Sequence, residues 1–406
     1  MKTELLETID PVCEFYTKHP FPPPVENLDR GMSQDENVRR AEYHLLWPSK
    51  EYRADQDVLV AGCGTSQAAS FALGHPAASV VGLDVSPTCL EHHQKLKRKY
   101  NLTNLKVRQL PVENVDDLDQ AFDVIVCTGV LHHLADPDAG LRALRSVLKP
   151  DGVMYLLVYA PYGRAGIYVL QEYCRILGIG TSKQEVSDLA AALQVLPQHH
   201  PLFAAQGGSR EFLYGDVLAD ALLNPRERSY SVPQLFDFLE RNDLRLARWY
   251  SQAPYLPQCS SIAATPHARK LSELPEREQY AAMELWRGVM NNHSVVVQRS
   301  EVNNDGPRVR FDNEDYLRYV PIRLPWTTCV KERLPPGAAA VLINKTHQFP
   351  DLFLAIDTLE QKMFDAIDGR RSISEIIEGK GNPSRARSFF EKLWWYDQVV
   401  FDASKV

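Results

Sequence analysis

Residues 57–86, DVLVAGCGTSQAASFALGHPAASVVGLDVS, decide the fold. Residues 58–61 are all apolar, as expected of a strand buried on both faces. Gly62 and Gly64 follow, and the lack of a Cβ lets a backbone turn sharply there and come close to a ligand. A helical stretch leads to a second apolar run that ends at Asp84, 20 positions after Gly64. At the end of a second strand, a carboxylate can accept hydrogen bonds from both hydroxyls of a ribose. A nicotinamide-binding fold would share these two features, so the distinction has to come from neighbouring segments.

Downstream, LKVRQL (105–110), FDVIVCTGV (122–130) and VMYLLVYA (153–160) read as strands, separated by the helical patterns 88–100 and 139–149. Five strands alternating with helices over about a hundred residues predict a doubly wound α/β sheet with parallel strands. Residues 161–229 break the rhythm with two amphipathic helical stretches and an irregular segment around HHPLFAAQGGSREFLYGD, which reads as an inserted helical cap. The sheet resumes at VPQLFDFLERNDLRLARWY and closes with HSVVVQR (293–299), after a second insertion at 251–290. One domain over 51–300 is therefore expected. It is preceded by an arm over 1–50, in which the prolines between Pro20 and Pro24 forbid a continuing helix. Residues 310–406 are expected to form a separate small α+β module of three short helices and a strand, similar to a winged helix.

The segments VLVAGCGT, VVGLDVS, FDVIVCTGVLHHLADP and LRALRSVLKPDGVMYLLVY, in this order, resemble the class I S-adenosylmethionine-dependent methyltransferases. With NPRERSYSVPQLFDFLE they look like a bacterial subgroup that often carries extra interaction domains. The resemblance implies a Rossmann-like seven-stranded sheet and S-adenosylmethionine as cofactor, with S-adenosylhomocysteine as product. It further implies that Ala61, Gly62, Cys63 and Gly64 line the methionine part, that Asp84 holds the ribose, and that Val85 and Ser86 edge the adenine. Leu110, Pro111, Val112 and Glu113 would close over the base, and Thr128, Gly129 and Val130 would lie under the sulfonium. Three positions depart from the family pattern: Val60 for a frequent acidic residue, Ser66 for the third glycine and Pro111 for a frequent aspartate.

Methyl transfer needs alignment and a dry pocket more than a nucleophilic side chain. A hydroxyl or protonated amine acceptor needs a base, and His132 or His133, just past the fourth strand, could serve. Packing of the turn is the competing account for both. Tyr159, Tyr162 and Arg164 follow the fifth strand, where they could clamp a polar substrate or simply pack against the cap. Tyr16, His19 and Phe21 in the arm are candidates for a lid over the cofactor, with core packing as the simpler alternative. No metal site is expected.

The acceptor is less legible. The chain reads TGVLHH where methylases of nucleobase and glutamine nitrogens carry an Asn-Pro-Pro-Tyr type motif. The net charge is −7 over 406 residues, which gives no footprint for a general nucleic-acid binder. Between Arg310 and Val406, 14 basic residues balance 14 acidic ones, so duplex binding is disfavoured and dimerisation or peptide docking is favoured. The basic run HHQKLKRKY reads as a solvated helix face. Seven cysteines without a CxxC pair suit a reducing cytosol, and no apolar run nears the roughly 20 residues that span a bilayer, so a cytoplasmic protein without membrane attachment is expected. The leading expectation is an enzyme that methylates oxygen or nitrogen of a small molecule or natural product, with the cap shaping the acceptor pocket. The alternatives are a protein or peptide methyltransferase whose C-terminal module captures the substrate, and a catalytically silent S-adenosylmethionine-binding interaction protein. A homodimer through the cap or the C-terminal module fits either catalytic reading.

Overall fold

A computed structural model of the chain describes residues 10–28, 35–203, 213–301, 309–378 and 383–406. Seven strands, β1 (Asp57–Ala61), β2 (Ser79–Asp84), β3 (Leu105–Gln109), β4 (Phe122–Thr128), β5 (Leu148–Tyr159), β6 (Leu244–Trp249) and β7 (Asn292–Arg299), form one sheet in the order β3-β2-β1-β4-β5-β7-β6. Val58 is in register with Val80 on one side and Val124 on the other, and β2–β3 and β4–β5 are parallel as well. Val58, Leu59, Val60 and Ala61 are fully buried, which explains the unbroken apolar run of β1.

The strand order reverses at β1, because the chain builds β2 and β3 on one side and then crosses to β4 on the other. A crevice opens at such a point, beyond the carboxyl ends of β1 and β4. Crossover helices at Gln67–Gly74, Pro87–Lys99 and Pro137–Ser146 frame it. The last two begin with proline at the first helical position, where no N–H is needed, and are capped by Ser86 and Asp136.

By contact density the chain separates into two compact units, one of residues 1–32, 55–244 and 288–294, the other of residues 33–54, 245–287 and 295–406. This division differs from the linear one expected from the sequence, because both units are assembled from discontinuous segments. The first fifty residues are divided as well: helix Pro11–Lys18 falls in the first unit and helix Glu36–Leu46 in the second.

In the first unit the cap contains the helices Ala165–Leu177 and Lys183–Leu193, the latter started by a Ser182/Glu185 capping box. It also contains a helix that the sequence does not announce, Gly215–Leu223, which starts at the end of the irregular segment 199–216; residues 204–212 of that segment lie outside the described residues. Leu218, Ala219 and Leu222 of this helix share a core with Leu170, Leu189 and, from the N-terminal helix, Phe15. Arm and cap are thus one packed body.

The second unit contains the three helices and final strand read from the sequence, at Thr358–Asp365, Ile373–Ile377, Pro383–Trp395 and Val399–Asp402. It adds four strands that the sequence reading lacked, β8 (Val320–Arg323), β9 (Thr327–Val330), β10 (Ala340–Asn344) and β11 (Phe353–Ile356). The final strand, β12, pairs antiparallel with β8, and β10 lies between β9 and β11. Each of these four strands is only four or five residues long, too short for an alternation to stand out. Among the described residues no helix is long and apolar enough to cross a membrane.

Candidate active site

A cavity of about 620 Å3 lies beyond the carboxyl ends of β1, β2 and β4. Its floor is the turn after β1. Gly62 and Gly64 adopt φ of +67° and +56°, the left-handed region that side chains with a Cβ rarely enter. Space forbids a side chain as well: a Cβ on Gly62 would meet Val130 Cγ2 at 2.2 Å, and one on Gly64 would meet the Phe21 carbonyl oxygen at 2.5 Å. Both glycines line the cavity, with Val130 and Phe21 packed directly against them.

Asp84 faces the turn from the end of β2. Its two carboxylate oxygens accept hydrogen bonds from the backbone N–H groups of Gly64 (2.8 Å) and Ser86 (2.9 Å). Burial pushes its pKa up to about 6, although the N–H groups of Ser86, Gly64 and Val85 oppose the shift by stabilising the anion. On the far side of the turn, Gln67 Nε2 donates to Thr128 Oγ1 (2.9 Å), tying the first crossover helix to the end of β4. Gly129, at φ +77°, then turns the chain back.

The N-terminal helix closes the cavity from above. Val12, Tyr16, Phe21 and Pro22 line it, and the arm is fastened at several points: Ser86 Oγ donates to the Tyr16 carbonyl (3.1 Å), Thr88 Oγ1 to that of Thr17 (3.1 Å) and Thr65 Oγ1 to that of Pro22 (2.9 Å). His19, the third lid candidate, is buried away from the cavity lining, with Nδ1 against Asp216 (2.9 Å) and Nε2 against the Thr181 carbonyl (2.8 Å). It pins the arm to the cap.

The opposite end is walled by Tyr16, His133, Tyr159 and Asp220. His133 Nδ1 lies 2.6 Å from the Arg226 carbonyl oxygen. A carbonyl only accepts, so Nδ1 carries the proton and Nε2 keeps a lone pair. That Nε2 is buried and has no hydrogen-bond partner among the described residues. Burial is the main reason the His133 pKa is lowered, which keeps the ring neutral. Asp220 Oδ1 accepts the Tyr16 hydroxyl (2.8 Å), and Asn224 Nδ2 supports both groups at 3.4 and 3.0 Å.

Of the positions expected around the cofactor, Gly62, Cys63, Gly64, Asp84, Val85, Leu110, Val112, Glu113, Thr128, Gly129 and Val130 line the cavity, whereas Ala61, Ser86 and Pro111 do not. Ala61 is buried within β1, Ser86 caps a helix, and Pro111 points to solvent. The two histidines separate: His133 lines the cavity, but His132 is buried behind it, stacked on Tyr159 with ring centroids 3.8 Å apart. Tyr16, Phe21 and Tyr159 are brought together; Tyr162 and Arg164 are not among the lining residues. Tyr162 is 42% exposed. Arg164 is buried, paired with Glu227 at 3.0 and 2.6 Å and stacked 3.5 Å over the Tyr159 ring, so it braces the wall and has no free fork for substrate. Asp220 and Asn224 were absent from the sequence reading. The available signal was one aspartate in the otherwise apolar LADALL, visible only once that stretch is seen as a helix.

Residues 59–154 match the family model described as a methyltransferase domain. An uncharacterised protein of Synechococcus sp. is 27% identical over 330 residues, 77% of this chain and 76% of that protein. An uncharacterised methyltransferase of Bacillus subtilis, YcgJ, is 30% identical over 134 residues, 32% of this chain and 52% of its own length. Among solved structures, PKMT2 from Rickettsia typhi superimposes with a TM-score of 0.63 over 91% of this chain and 75% of that one, at 16% identity, a likeness of fold. A second structure of PKMT2, in complex with AdoHcy, superimposes with a TM-score of 0.59. The glycine turn that tolerates no Cβ, the buried acid on β2 and the matched segment lie on one cavity of one sheet, and residues 59–154 form a methyltransferase domain of the class I, S-adenosylmethionine-dependent kind.

Proposed function

We propose that the enzyme methylates an oxygen or nitrogen nucleophile of a small molecule or natural product, bound at the end of the cavity formed by Tyr16, His133, Tyr159 and Asp220. The observation that carries this reading is His133: a buried imidazole that borders the cofactor cavity, with Nδ1–H fixed by a backbone carbonyl and Nε2 left without a partner among the described residues. This is the arrangement of an oriented general base.

The remaining residues suit S-adenosylmethionine. The bare turn at Gly62 and Gly64 admits the methionine part, the Asp84 carboxylate accepts from the ribose hydroxyls, and Leu110, Val112 and Glu113 border the adenine. When bound, the cofactor supplies a methyl carbon activated by positively charged sulfur. The chain supplies alignment and exclusion of water through the arm, and His133 accepts the proton that the nucleophile loses. His132 holds the Tyr159 ring in place.

Incubating cell extract with methyl-labelled cofactor and sorting the label by size tests the reading. Label in small molecules supports it; label in polypeptide replaces the acceptor with the peptide alternative. His133→Ala is expected to lower turnover by about 10²–10⁴-fold, the usual contribution of a general base. Full turnover in that variant removes the assigned role.

A further inference from the structure

Resting on the methyl-transfer reading above, we propose that the acceptor is an amine, recruited as its ammonium cation by Asp220 and methylated on nitrogen. Asp220 is only 5% exposed, yet it lines the cavity. Its hydrogen bonds, from the Tyr16 hydroxyl and the Asn224 amide, are both to Oδ1 and both from neutral groups. No lysine or arginine is paired with it among the described residues. The cations near it are engaged elsewhere: Arg164 with Glu227, and Arg226 with Asp10 (3.0 Å) and the His133 carbonyl.

A buried carboxylate is costly unless a cation completes it, and this one borders space large enough to admit one. The rings of Tyr16 and His133, and of His133 and Tyr159, lie edge to face around that end of the cavity, with centroids 6.0 and 5.7 Å apart. An oxygen acceptor would have to lose its proton and become an anion beside a carboxylate, whereas a nitrogen acceptor is cationic when bound, neutral once deprotonated and cationic again as product. Only the second avoids placing two negative charges together.

The step balances without another reactant. The bound ammonium passes one proton to His133 Nε2 and becomes a neutral amine. Its lone pair forms the N–C bond as the C–S bond breaks, and the bonding pair stays on sulfur. The product is an N-methylammonium and a neutral thioether, and the proton on His133 leaves to solvent.

The test uses the full chain, methyl-labelled S-adenosylmethionine and whole-cell extract, with labelled products sorted by chemistry. N-methylamines bind a cation exchanger and resist mild alkali; methyl esters release labelled methanol; ethers do neither. Label in the amine fraction is expected. Label in esters or ethers overturns the amine inference and leaves methyl transfer standing, while no label in any fraction overturns both. With the labelled amine in hand, Asp220→Asn is expected to raise KM at least tenfold with the cofactor Kd from calorimetry changed less than twofold, which also reports that the variant is folded. Tyr16→Phe, which removes only the hydroxyl, should raise KM by a smaller factor. An unchanged KM in Asp220→Asn overturns the proposal.

Discussion

Asp84 accepts two backbone hydrogen bonds and still has a pKa near 6, because burial outweighs them. With the cofactor placed as proposed, its ribose hydroxyls donate to the ionised form, so a proton on Asp84 competes with the cofactor. The sign follows: affinity is constant above about pH 7 and falls by up to tenfold for each pH unit below about 6, one pKa unit corresponding to a factor of ten. Calorimetric Kd for S-adenosylmethionine between pH 5 and 8 checks this; a flat profile in the wild type would show that Asp84 is not the acceptor, and Asp84→Asn should bind weakly without the dependence. Gly62→Ala adds a Cβ into Val130 at a backbone angle that disfavours it, at a cost of about 1–3 kcal/mol of stability, with cofactor binding lost as the turn shifts. Thermal unfolding beside calorimetry reads both effects. Both residues were legible in the sequence because a turn, a helix and a strand fix their separation at 22 positions. Asp220 was not, because its partner Tyr16 is 204 positions away and nothing local marks the pairing.

The N-terminal helix Pro11–Lys18 was legible as an arm but not as part of the cap, since the groups it meets there, through Phe15 in the core and through Tyr16, lie about 150–210 positions further along the chain. The cap helices that surfaced in the sequence are those with a long amphipathic period, Ala165–Leu177 and Lys183–Leu193. Helix Gly215–Leu223 did not, being short and without a side-chain cap. Both ends of the cavity therefore share one wall, supplied by the arm. Deleting residues 1–24 removes Val12, Tyr16, Phe21 and Pro22 from the cavity and strips the hydrogen-bonded cover from Ser86 and Thr65. Cofactor affinity is expected to fall by about tenfold or more as water reaches the site, and turnover by a larger factor, since closure excludes water from the transfer as well. Equal Kd and kcat in the deleted and intact proteins would show that the arm is a structural strap alone.

At the scale of the molecule, the linear division at residue 300 hides how the second unit is made. Asp397, buried near the C-terminus, accepts the backbone N–H of Ala253 (2.9 Å) and pairs with Arg248 (3.3 Å) and His347 (3.1 Å). Asp351 accepts from Ser261 N–H (3.0 Å) and Ser260 Oγ (3.1 Å) and pairs with Arg287 (2.5 Å). Ala41 and Leu45 share a core with Ile322, Leu324 and Val400, and the Ala403 N–H donates to the Pro48 carbonyl (2.7 Å). None of these pairings leaves a local trace, because each joins residues far apart in the chain through groups that are ordinary in their own neighbourhoods. A chain ended at residue 300 therefore keeps Arg248, Arg287, Ala41 and Leu45 but loses what covers them. It is expected to bind a hydrophobic dye and to unfold with low cooperativity, unlike the full chain. Asp397→Ala is the milder form of the same lesion: it strands a buried arginine and a backbone N–H, so it should cost about 3–5 kcal/mol, read as a lower midpoint in urea with an unchanged slope. A truncated chain that unfolds as sharply as the whole would show that residues 33–54 and 245–287 do not depend on the C-terminal hundred.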